Sequence, residues 1–122
     1  MHTFPLSASA QAVFAAVLGQ SDLVFSAATN IERPFSGWAW HKARFDTLLE
    51  GVEPYTLHDL RRTFATVHAK IGTPIYVTEK LLNHVSGTIS GVAAVYNRHS
   101  YSDEMELAMA AYDEYLAKLM QG

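Results

Sequence analysis

The chain has 122 residues, 49% apolar and 17% charged, enough to bury a core and too apolar for a disordered tail. The absence of cysteine excludes disulfides, thiolate metal sites, iron–sulfur clusters and a cysteine nucleophile, and points to an intracellular chain. The net charge of −3 argues against a nucleic-acid binder only as an average: residues 57–100 hold five Lys and Arg against two acids, and residues 101–122 hold Lys118 against five.

In chain order, residues 2–6 are short and interrupted by Pro5, so they predict at most an edge strand or an extended entry. Ser7 or Ser9 can cap a helix carrying Val13, Phe14, Val17 and Leu18, with Gly19 as its stop. A short apolar run at 23–25 precedes an expected loop containing Thr29, Asn30 and Pro34. A second helix is expected from Ser36 or Gly37 to Gly51, with Trp38, Phe45, Leu48 and Leu49 on it. Pro54 keeps its predecessor out of helix and Thr56 caps a third, at about 57–71, with Leu57, Leu60, Phe64, Val67 and Ile71 as its apolar stripe and Gly72 at its end. Pro74 opens a fourth, ending near Asn83, and residues 85–91 form a Gly- and Ser-rich loop. A short helical turn at 92–97 and a last helix from Ser102, carrying Met105, Leu107, Ala108, Ala111, Tyr115 and Leu119, complete the pattern. Its apolar runs fall short of the roughly 18–20 residues a membrane span needs, and residues 1–20 lack the basic start of a signal peptide. The fold class expected is mainly α, a compact helical bundle in a single domain over 1–122, with at most a short β-strand or hairpin.

Three segments can carry chemistry. In His58-Asp59-Leu60-Arg61-Arg62-Thr63, His58 and Arg61 share one helix face while Arg62 is turned about 100° away. Arg61 suits a phosphate through its planar, permanently charged fork, and His58 can donate a hydrogen bond or move a proton near neutral pH. Cations near a helix N-terminus cost a few tenths to about 1 kcal/mol, a small anomaly that an anionic ligand would remove. In Leu82-Asn83-His84, an imidazole ends an apolar helix, where it either faces a cleft or simply complements the helix dipole. In Tyr96-Asn97-Arg98-His99, a phenol has a cationic neighbour, which favours its nucleophilic, deprotonated form.

In this order, residues 55–66, then Gly72, then Glu79-Lys80-Leu81-Leu82-Asn83-His84, then Val95-Tyr96-Asn97-Arg98-His99 resemble the C-terminal catalytic region of the tyrosine recombinase, or phage integrase, family. Phe4-Pro5-Leu6-Ser7 is similar to the end of that family's small β-hairpin. The resemblance implies the helical catalytic core of DNA breaking-rejoining enzymes and site-specific recombination or integration, using neither metal nor any other cofactor. A tyrosine attacks the scissile phosphate, leaving a 3′-phosphotyrosyl link and a free 5′-hydroxyl that then attacks a partner strand. By position, Tyr96 matches the nucleophile, Arg61 the second arginine on the nonbridging oxygens, His58 the histidine of the HxxR motif and His84 the later histidine at the phosphate. Arg62, Lys80 and Arg98 are expected at most to touch DNA backbone. The implied partners are double-stranded DNA and other copies of the chain in a synaptic complex through the last helix, in a bacterial or phage-encoded cytoplasmic protein such as a prophage integrase.

Two groups of the family pattern have no match in these 122 residues, an arginine preceding the hairpin and a lysine on it; Arg33, Lys42 and Arg44 lie after the hairpin-like start. The resemblance therefore implies part of a catalytic domain, without the N-terminal DNA-binding module and inactive by itself. The interval from His84 to Tyr96 also exceeds the family's commonest one. Two other functions fit the residues: a non-catalytic DNA-binding or assembly remnant of an integrase, and a metal site built from His58, His68, His84 and His99, for which no HExxH or tight ligand pair is present.

Overall fold

The computed structural model describes residues 2–17, 21–84 and 100–121. These form five helices and one two-stranded antiparallel sheet, a mainly α fold: α1 (Ala8–Val17), β1 (Ser26–Ala27), β2 (Asn30–Pro34), α2 (Trp38–Asp46), α3 (Leu57–Lys70), α4 (Ile75–Leu81) and α5 (Ser102–Gln121). The chain divides into two compact units, Ala10–Tyr55 forming one and Met1–Ser9 with Thr56–Gly122 the other.

In the first unit, residues 26–34 pair as a hairpin where a loop was expected. Ala27 opposite Asn30 closes a turn at Ala28 and Thr29, and the register shifts between Ser26 and Ala27. The Asn30 side chain accepts the Glu32 N–H at 2.9 Å, which supports the turn. Residues 2–6, short and interrupted by Pro5, take part in no strand pairing. Pro5 removes a ladder donor there, and the sheet pairs only β1 with β2. Gly37, at φ +87°, turns the chain into α2. That helix stops at Asp46 rather than Gly51 because its last turn tightens: the Thr47 hydroxyl donates to the Arg44 carbonyl at 2.7 Å, and the Leu48 and Leu49 N–H groups reach back only three residues. Phe35 meets Trp38 edge-on, centroids 4.6 Å apart. Lys42 is held within this scaffold, on Asp46 at 2.6 Å and on the Tyr55 carbonyl at 3.0 Å.

In the second unit, α3, α4 and α5 pack on one another. Their core is Val77, Leu81, Met105, Ala108 and Met109, with Phe64 against it. Burying Val77 completely contributes about 1.5–3 kcal/mol. The apolar stripe of α3 is buried only in its second half: Val67 is covered, while Leu57 and Leu60 are more than half exposed. The buried residues of α3 are Val67 and His68, and the core it packs on comes from α4 and α5. Ser9 at the start of α1 donates its backbone N–H to Asp113 of α5 at 2.9 Å, and its hydroxyl bonds the same carboxylate. The cap thus comes from α5, an acid meeting a helix N-terminus.

Both helices that approach the candidate site end in the same way. At the end of α3, Gly72 is left-handed (φ +83°), and the Thr73 N–H donates to the His68 carbonyl at 2.9 Å. At the end of α4, Asn83 takes the left-handed position (φ +52°), with the His84 N–H on the Glu79 carbonyl at 2.9 Å and the Asn83 N–H on the Lys80 carbonyl at 3.0 Å. This pair of reversed hydrogen bonds is the Schellman motif, and Gly and Asn are the residues that tolerate its turn.

Candidate functional site

Thr56 starts α3 in an extended conformation and donates both its N–H, at 2.9 Å, and its hydroxyl, at 2.8 Å, to one oxygen of Asp59. Those two bonds, with Arg62 nearby, hold the Asp59 carboxyl below the usual carboxylate range. The opposite end of the same carboxylate takes Arg62 at 3.3 Å, and Arg62 is well exposed. A capping acid therefore offsets one of the two cations that looked misplaced near the helix start.

The other cation is Arg61, and it leaves its own helix. Its guanidinium Nη2 donates to the backbone carbonyl of Leu82, in the last turn of α4, where carbonyls have no partner within the helix. This contact joins α3 to the end of α4 two residues before His84. The Schellman turn then folds His84 back onto its own helix, where Nδ1 lies 3.0 Å from Glu79 Oε1. The His84 side chain remains 41% exposed and that of Glu79 is 21% exposed.

Arg61 and His84 are thus brought to one end of α4. His58 stands one turn before Arg61 on α3 and is exposed. Arg62 is turned away and paired with Asp59, and Lys80 is exposed on α4. Tyr96, Arg98 and His99, with the loop at 85–91 and the helical turn expected at 92–97, lie outside the described residues. Beside Arg61 opens a cleft of ≈ 300 Å³ lined otherwise by apolar side chains, Phe4, Phe64, Leu81, Leu82 and Met109. An anion arriving at this cleft would meet the Arg61 guanidinium, whose orientation the Leu82 carbonyl fixes, while His84, whose orientation Glu79 fixes, lies two residues beyond Leu82 and outside the cleft lining.

Glu79 and the Leu82 carbonyl were not singled out from the sequence. The signal for Glu79 was present, as an acid five residues before a histidine with Asn between them, which is the spacing of a Schellman closure.

His68 belongs to the core rather than to a histidine metal set. Its ring is fully buried, Nδ1 pairs with the Thr73 hydroxyl at 2.9 Å, and it stacks on Tyr112 at a 5.1 Å centroid distance. Burial pushes its pKa below the ordinary imidazole value and raises that of the Tyr112 phenol. Among the described residues, no three His, Cys, Asp or Glu side chains are grouped to hold a metal ion. No helix among them is long and apolar enough to cross a membrane. No family model, curated protein or solved structure matches the chain.

Proposed function

We propose that this chain carries the phosphate-binding part of a tyrosine recombinase centre, acting on double-stranded DNA in site-specific recombination or integration. What supports this reading is that Arg61, seated on the Leu82 carbonyl, and His84, seated on Glu79, are both held at the C-terminal end of α4. The two come from separate helices and from separate segments of the resemblance, and His58 occupies the face of α3 next to Arg61. In this scheme Arg61, His58 and His84 stabilise charge on the scissile phosphate, the Tyr96 hydroxyl gives up its proton as its oxygen bonds to phosphorus, the bond from phosphorus to the 5′-oxygen breaks, and that oxygen takes up a proton and leaves as the free 5′-hydroxyl. Arg62, Lys80 and Arg98 add backbone contacts. Preorganised donors of this kind act where charge develops in the transition state. The reaction needs no metal, and copies of the chain associate in the synaptic complex through α5.

A non-catalytic DNA-binding or assembly domain is the second reading. It is favoured by Arg61 acting as a cap on α4, a structural task, and by Leu107, Leu119 and Met120 of α5, all more than 60% exposed. Met105 and Met109 of the same helix are buried in the core, so Leu107 is the α5 residue whose replacement can report on association.

The experiment is fluorescence anisotropy of a short labelled duplex at several salt concentrations, with Arg61→Lys, His84→Ala and, as control, Lys118→Ala. A hydrogen bond to a charged group is worth about 1.5–3 kcal/mol, so each site variant is expected to weaken binding roughly tenfold or more while the control does not. Equal affinities for all three variants and the parent chain would refute a phosphate site at these residues.

A further inference from the structure

The atom of His84 that exchanges protons is set by its neighbours. An ionised carboxylate can only accept hydrogen bonds. At 3.0 Å from Glu79 Oε1, Nδ1 of His84 must therefore be the donor and carry the hydrogen. The pair does not form by chance rotation of two surface side chains. The backbone already ties the same two residues together, His84 N–H to Glu79 carbonyl at 2.9 Å, around the left-handed Asn83. Glu79 is mostly covered, so its carboxylate has few other positions, and the Arg61 guanidinium on Leu82 closes the turn from the α3 side.

We infer that Glu79 is a positioning residue that holds His84 as its Nδ1–H form and makes Nε2, on the opposite side of the ring, the one atom that gives and takes a proton. With the ring neutral, Nε2 presents a lone pair and accepts a proton there. Once the ring is charged, Nε2–H becomes a charge-assisted donor, with the Glu79 carboxylate balancing the charge behind it. A histidine oriented by a carboxylate through its other nitrogen is the general arrangement by which proteins fix an imidazole's working atom. The inference rests on the recombinase reading only in that this reading puts a phosphate oxygen in front of Nε2.

The test is long-range proton–nitrogen NMR of the imidazole side chains in the 122-residue chain, recorded about two pH units above the ordinary imidazole value of about 6.5. His84 is expected as the Nδ1–H form. Glu79→Ala is expected to lose that form in favour of Nε2–H, and Glu79→Gln to keep it, because the glutamine carbonyl still accepts. The His68 signals, governed by Thr73 in the core, report in each variant that the fold is retained. An Nε2–H form of His84 in the parent chain, or the same form in parent and Glu79→Ala, overturns the inference. Inorganic phosphate is then added at about pH 6, near the ordinary imidazole value. A shift at His84 Nε2 supports both readings. The expected form of His84 with no response to phosphate supports the role of Glu79 and removes the phosphate reading.

Discussion

His68 offers the most quantitative test of the packing around α3. The ring is completely enclosed, spends Nδ1 on Thr73, and leaves Nε2 without a partner among the described residues. Adding a proton would bury a charge between Phe64 and Tyr112, and desolvation accordingly lowers the folded-state pKa below the unfolded value of about 6.5. Between the two values the unfolded chain binds the extra proton and the folded chain does not. Stability is therefore at its full value above about pH 6.5 and falls as the pH is lowered towards the folded-state pKa, below which the loss is complete. One group contributes at most about 1.4 kcal/mol per pH unit within that window. His68→Leu, of similar volume, removes the titration and also the unpaired Nε2, at the cost of the bond to the half-buried Thr73, which water can replace. Urea unfolding followed by circular dichroism at pH 7.5, 6.5 and 5.5 (roughly spanning the imidazole range) should show the parent losing stability more steeply than the variant. Parallel losses in the two proteins would refute the burial argument.

Other outcomes follow from the same packing. Val77→Ala removes two methyl groups from a fully enclosed position and is expected to cost about 2 kcal/mol in the same urea assay. Thr56→Ala takes away the hydroxyl that shares Asp59 and should cost about 1 kcal/mol of stability. Leu107→Glu, on the exposed side of α5, should leave the unfolding midpoint unchanged, and a shift to a smaller species in sedimentation would assign that face to self-association. On the proposed recombinase reading, ordinary duplex DNA is not expected to be cleaved by these 122 residues, because nothing in them matches the first arginine or the hairpin lysine of the family they resemble, and losing one such group alone costs ~10²–10³ in rate. A denaturing gel showing a Tyr96-dependent protein–DNA adduct would contradict that expectation.

Helix positions were legible because their punctuation is local. Thr56 with Asp59, Gly72, Pro74 and Asn83 act within a few residues of themselves, and α3 and α4 begin and end where these residues direct. The hairpin at 26–34 was not legible, since strands of two and five residues leave no alternating pattern and depend on pairing. The Asp113 cap on α1 was hidden for the same reason, as its two partners are separated by most of the chain. The stripe on α3 was correct as a periodicity and overextended as a core, because periodicity gives the face of a helix and not how much of its length neighbouring helices cover, and Leu57 and Leu60 are exposed. At the candidate site, spacing placed His58 and Arg61 on one face. That Arg61 would seat on the Leu82 carbonyl, and His84 on Glu79, required the docking of α3 against α4.

The central claim is that His58, Arg61 and His84 form one anion site, and titration of the isotope-labelled chain with inorganic phosphate addresses it most directly. Saturable shifts of the side-chain signals of all three residues, with one common midpoint and a weaker response in Arg61→Lys, are the expected result. Shifts confined to cations outside the end of α4, such as Lys42 and Arg44, or different midpoints for the three residues, would contradict it.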